Sequence, residues 1–264
     1  MSDPNPAPSV PRLITFPPSS DCENARWVLD HYGIAYREEP HAPPFFLPVL
    51  YWNRGRAVPM YIDPDVRLSG LTAIIRHFEA LAPPERRLVA PGLKDEVPRL
   101  WVDYDLDMDQ ATVTWAYTVL LPKWGIMIEP LSMGTPAFER FTVRYLYGLP
   151  ALFLWKALKL GKAQAAEALV LLRRYFATVD ERLADGRPYL AGDRLTLADI
   201  AFAVAGTPLV LPLGYGGHPG QQGPLPTFDQ APAEFQSVVR EMRETRAGQF
   251  ILRLYREERY RAST

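Results

Sequence analysis

Two consecutive prolines, Pro83 and Pro84, divide this chain into halves whose apolar residues recur with different periods. Proline cannot continue a helix, so the helix-patterned run from Leu71 to Leu81 must stop at them. Ahead of the break, short alternating runs bounded by proline and glycine predict strands interleaved with helices, whereas behind it only helical periodicity remains. The chain therefore reads as an α/β unit over residues 12–82, a linker over 83–92 and an all-helical unit over 93–264, with a disordered tail over 1–11.

In the first unit the run RLITF (Arg12 to Phe16) predicts a buried strand. A helix follows, because Ala25, Val28, Leu29 and Tyr32 recur at helical spacing behind a cluster of capping residues, and Gly33 stops it. Ile34 to Glu38 predicts a second strand, parallel to the first. Residues 41–52 read as a Pro- and aromatic-rich loop, and AVPMYI and VRL, with Asp63, Pro64 and Asp65 between them, as a β-hairpin. The helix over 71–81 carries Leu71, Ile74, Ile75 and Phe78 on one face. In the second unit helices are expected over 96–120, 137–160, 163–184, 197–206, 231–243 and 246–259, with a Gly/Pro-rich loop over 213–226.

Charge and cysteine content narrow the function classes. Lys and Arg number 29 against 30 Asp and Glu, so the chain as a whole carries no field that favours nucleic acid or a membrane, and neither is expected as a partner. Cys22 is the one cysteine: no intramolecular disulfide and no thiolate cluster for zinc can form, which fits a reducing cytosol. The four histidines, His31, His41, His77 and His218, have no ligand spacing, so no metal is expected. The first residues lack the basic patch and apolar run of a secretory signal. The apolar stretch from Leu146 to Leu160 is interrupted by Gly148 and Pro150 and carries Lys156 and Lys159, short of the roughly 20 residues a bilayer span needs.

Around Thr196 the spacing has a direct physical meaning. Thr196 and Asp199 make a capping box at the start of a helix, each side chain bonding the other's backbone N–H, with Leu195 packing on Ile200. This is a folding element. Within Leu190–Ile200 the run resembles the Leu-x-Gly-x-x-x-Ser/Thr-x-Ala-Asp signature of the glutathione transferase superfamily. Three more segments carry the resemblance: Ser19 to Arg26, similar to the start of the family's first helix; Asn53 to Pro59, similar to Asn-Pro-x-Gly-x-Val-Pro; and Ala73 to Phe78, similar to Ser-x-Ala-Ile-x-x-Tyr-Leu. It spans roughly residues 13–255, and implies a thioredoxin-like α/β domain followed by an all-helical domain, a cytoplasmic homodimer, and an enzyme that turns the glutathione thiolate on a hydrophobic electrophile in detoxification, with glutathione as cosubstrate.

On that resemblance Ser19 is the catalytic residue. A hydroxyl near a helix N-terminus donates to a thiolate and the helix dipole favours its charge, so both lower the thiol pKa. Ser19, Ser20 or Asp21 reads equally well as a plain N-cap, and Ser20 can exchange roles with Ser19. Cys22 lies where the second cysteine of a redox pair would be; it reads as a small buried hydrophobe or, less simply, as a reactive thiol. Val58 and Pro59 match the segment whose proline is cis in the family, which implies that the Val58 backbone pairs with glutathione like an added strand. The family's acidic residue and serine for the γ-glutamyl end fall here on Gly70 and Leu71, which leaves the flanking Ser69 and Thr72, each also a natural N-cap, as candidates.

Trp101, Tyr104, Met108 and Trp115, with Ala111 and Thr112, form one helical stripe. The four large side chains would wall a substrate pocket, although such a stripe is more often core. The aromatic loop (Phe45, Phe46, Tyr51, Trp52) and residues 122–136 are apolar enough for a lid or a contact surface. A second function class stays open: a binding or scaffold protein that keeps the fold without the γ-glutamyl contacts.

Overall fold

The computed structural model describes residues 10–261. The disordered tail expected over 1–11 falls almost wholly outside them.

The first half is a four-stranded sheet of order β2-β1-β3-β4, where β1 is Arg12–Thr15, β2 Arg37–Pro40, β3 Met60–Ile62 and β4 Arg67–Ser69. β2 runs parallel to β1, while β3 and β4 are antiparallel neighbours, and Ile14 pairs with Met60. Between β1 and β2 lies α1 (Ser20–Tyr32), capped at its start by Ser19, whose Oγ accepts the Cys22 N–H at 3.3 Å. Gly33 ends it at φ 71°, and the N–H groups of Gly33 and Ile34 close on Asp30 and Leu29. That cap consumes the residues expected to open the strand, so β2 begins at Arg37 rather than Ile34. Asp63 Oδ1 accepts from the N–H groups of Asp65 and Val66, which turns the β3–β4 hairpin. α3 (Leu71–Leu81) then buries Leu71, Ile74, Ile75 and Phe78, as the sequence pattern expects.

Proline hides two helices from a sequence reading. α2 (Phe46–Trp52) contains Pro48 in its first turn, where the missing N–H has no intrahelical partner to lose. α6 (Trp124–Ser132) contains Pro130. The opposite occurs over 137–160, where one expected helix is two, α7 (Ala137–Tyr145) and α8 (Gly148–Ala157). Pro150 cannot donate back to Leu146, so the chain restarts rather than continuing.

The helical half is built on α4 (Glu96–Val102) and α5 (Asp109–Leu120), joined without a break by a π-helical turn, Asp103–Met108. α9 (Lys162–Arg182) packs along α5. At the centre sits α10 (Leu197–Ala205), all nine residues buried, its capping box present: Asp199 accepts from the N–H of Thr196 at 2.7 Å and the N–H of Leu190 at 2.7 Å. α11 (Thr207–Val210), the loop over 213–226, α12 (Ala233–Glu244) and α13 (Arg246–Glu257) complete the unit. One apolar core runs through both halves; a smaller one, Ile14, Leu50, Met60 and Ile62, lies on the α2 face of the sheet.

Candidate active site at the amino end of the first helix

Antiparallel pairing of β1 and β3 brings the loop before β3 to the end of the sheet from which α1 departs. Ser19 is half-buried there. Its Oγ accepts the Cys22 N–H, which leaves its own O–H proton for a ligand. Beside it opens a cleft of about 280 Å³, lined by Ser19, Ser20, Phe46, Asp109, Tyr117 and Phe153 among others. An adjoining apolar recess of about 40 Å³ runs inward past Thr112, Met127 and Tyr215. Four elements thus converge: the start of α1, α2, one flank of α5 and α8.

Three carboxyls gather under this helix end. Ser20 Oγ donates to Asp109 Oδ2 at 2.7 Å, and Asn24 Nδ2 to Asp105 Oδ1 at 3.0 Å. Burial pushes Asp21 up to about 6 and Asp105 up to about 7, and raises Asp109 well above the usual carboxylate range. A protonated carboxyl does not repel an anion bound at the helix end, so burial weakens the conflict at neutral pH, most for Asp109 and least for Asp21, which stays largely ionised.

The other sequence candidates separate. Cys22 is fully buried, its Sγ accepting the Phe16 N–H at 3.4 Å, and burial pushes its thiol up to about 12. It belongs to the core and not to the ligand-facing set. Val58-Pro59 is a cis peptide, as the sequence motif implies. Among the described residues no backbone hydrogen bond reaches the N–H or C=O of Val58. Ser69 Oγ accepts the N–H groups of Arg56 and Ala57 at 2.8 and 3.0 Å, so its hydroxyl braces that loop. Thr72 is exposed on α3. Gly70 takes φ 87°, a conformation that side chains rarely adopt, and Leu71 points into the core. An acidic residue at 70 would have to strain the backbone.

The expected pocket wall turns inward. Trp115 stacks on Phe235 at 4.5 Å, Tyr104 meets Phe202 edge-on at 5.1 Å, and Met108 is fully buried. Trp101 packs partly buried against the same core. None of the four lines the cleft. The stripe faces the helical core, and the flank beside it, Asp109, Gln110, Val113 and Tyr117, faces the cleft instead. Asp109 escaped the sequence reading because its partner, Ser20, lies 89 positions away.

Among the described residues, no group of three His, Cys, Asp or Glu side chains is arranged to hold a metal ion, and no helix is long and apolar enough to cross a membrane.

Residues 162–233 match the family model for the glutathione S-transferase C-terminal domain. No curated protein matches the chain. Solved structures resemble it over most of its length. A glutathione transferase of Phanerochaete chrysosporium is 15% identical with TM-score 0.55, covering 94% of this chain and 97% of that one. One from Rhodospirillum rubrum is 18% identical with TM-score 0.52, covering 94% and 99%. One from Ceriporiopsis subvermispora, solved in complex with glutathione, is 12% identical with TM-score 0.53, covering 94% and 99%. The chain has the glutathione S-transferase fold, a thioredoxin-like half followed by a helical half, and over residues 162–233 its sequence matches that superfamily's C-terminal domain.

Proposed function

We infer that this protein is a glutathione transferase: it binds glutathione at the amino end of α1, holds the thiol ionised, and turns the sulfur on a hydrophobic electrophile in the adjoining cleft. The observation that carries the reading is Ser19, whose oxygen is fixed by the Cys22 N–H and whose O–H adjoins an otherwise largely apolar cavity. Ser20 is already engaged with Asp109, which favours Ser19 as the donor to sulfur. On binding, the thiol proton leaves to solvent; the S–C bond then forms as the electrophile's leaving group departs or its double bond accepts the electron pair. Fixing sulfur and electrophile side by side lowers the barrier through proximity, and no general base is needed. The Val58 N–H and C=O, to which no backbone group among the described residues bonds, suit the peptide backbone of the ligand.

A second reading rests on Gly70, Leu71 and Ser69: the γ-glutamyl contacts have no side chain to make them, as in a binding protein that keeps the fold. Titration calorimetry with glutathione on the native protein and on Ser19→Ala separates the two. The transferase reading expects glutathione to bind, and kcat/KM toward an aryl halide to fall about 10²-fold or more in the variant, the loss usual for one hydrogen-bond donor to a developing anion. Absent binding favours the scaffold.

A further inference from the structure

Every exposed aromatic side chain among the described residues lies on α2, α6 or α7. Phe138, Phe141 and Tyr145 recur along the outer face of α7 at 61, 61 and 64% exposure, while the inner face buries Val143 and Glu139. On α8 the outer stripe is Leu149 and Leu152, followed one turn on by Lys156. Trp124 joins Leu152 and Trp155 along one open groove, and Trp52 projects from α2 at 76% exposure. The elements form one surface: Phe45 meets Phe138 at 5.4 Å, Phe46 meets Phe153 at 6.1 Å, and Tyr147 donates to the carbonyl of Leu121 at 2.6 Å. A helix with its aromatic side turned to water and its polar group buried inverts the pattern of an ordinary surface helix.

The segments that carry this surface are one-sided in charge. Residues 41–60 and 121–162 hold eight Lys and Arg, all exposed, among them Arg140 and Arg144 on α7 itself, with Arg144 over the Tyr145 ring, and Lys156 on α8. Against them stand two carboxylates: Glu129, and Glu139, which is buried on His41 and the Ala42 N–H. The near-neutral total for the chain conceals this segregation.

We propose that the α2/α6–α8 face docks on an anionic lipid surface, its Phe, Trp and Leu side chains entering the interface and its Lys and Arg side chains meeting the headgroups. Aromatic and leucine side chains within a cationic rim are the build of a segment that lies on a membrane without spanning it. A second copy fits less well: a two-fold interface sets a patch against itself and would bring the basic side chains of α7 and α8 against their own kind. Phe46 and Phe153 belong both to this face and to the wall of the cleft beside Ser19, so a lipid-dissolved molecule would meet the cleft at its rim.

The test is flotation of the full chain with phosphatidylcholine vesicles, with and without 30% phosphatidylserine, at low and at 0.5 M salt. Variants are Phe141→Ser/Leu149→Ser and Arg144→Glu/Lys156→Glu, all at exposed positions, with circular dichroism to establish folding. The expected result is binding to the phosphatidylserine vesicles, weakened by salt, by about ten-fold in the apolar variant and by about 25-fold or more in the charge variant, at roughly five-fold per basic residue. Three results overturn the proposal: no binding to either vesicle, equal binding to both with the charge variant unaffected, or a concentration-dependent dimer in sedimentation that the apolar variant abolishes while vesicles capture nothing.

Discussion

Asp105 is held 3.0 Å from Asn24 Nδ2 across the junction of the two halves, and burial lifts its carboxyl to about 7 from the ordinary 3.8. A carboxyl with a raised folded-state pKa leaves stability intact below its unfolded value and removes it as pH climbs through the folded one. Asp105→Asn keeps the contact with Asn24 and discards the ionisation, so it should stabilise the protein by about 4 kcal/mol at pH 8 and leave it nearly unchanged at pH 4, read from thermal melts. An unchanged melting temperature at pH 8 contradicts the raised pKa. Asp21 and Asp109 push in the same direction. At this scale the sequence was legible where a side chain acts on its own neighbours: Ser19 caps the N–H three residues on, and Cys22 reads as a buried hydrophobe. It was illegible where the partner is remote. Asp109 and Ser20 meet only through the fold, and the positive φ at Gly70 is a property of the turn and not of its composition.

Between elements, α10 is the member to test. Its one carboxylate, Asp199, satisfies two buried N–H groups and the Thr196 hydroxyl at 2.6 to 2.7 Å. Removing it strands Thr196 and Leu190, and each buried unpaired N–H costs about 1–3 kcal/mol. Asp199→Ala should therefore lower stability by about 3 kcal/mol or more, seen as a shift in the urea midpoint at constant slope. A loss below 1 kcal/mol would leave the capping box a minor feature. This element was readable from a local pattern, as was α3. The elements that differ from the sequence expectation share a cause: Pro48 and Pro130 lie inside α2 and α6, while Pro150 lies in the first turn of a helix that restarts at Gly148, and composition does not say which role a proline takes. The substrate-wall stripe failed differently, since periodicity identifies the apolar face of a helix but not which neighbour it meets.

Across the whole molecule, a buried ionic network ties the end of the chain back to its first helix. Arg259 donates to Glu23 at 2.8 Å and to Asp30 at 2.7 Å, with both Arg259 and Glu23 side chains fully buried. Glu23 also accepts the Gly216 N–H at 2.9 Å, and Arg26 joins Glu23 to Glu38 on β2. Arg259→Met leaves Glu23 and Asp30 short of a cation and should cost about 3–5 kcal/mol in urea unfolding, while Glu23→Gln in the same chain recovers part of the loss. A recovery of nothing would mean that packing, and not charge, is what Arg259 supplies. This clasp holds α1 in place, and the functional account depends on what happens at that helix's amino end. The decisive measurement is the pH titration of the bound glutathione sulfur by its thiolate ultraviolet absorbance, in the native protein and in Ser19→Ala. The account predicts that the thiol ionises below about 7 in the native protein, against an ordinary value of about 8.5, and moves back up by a unit or more in the variant. A bound thiol that titrates like free glutathione, or one indifferent to Ser19, contradicts it.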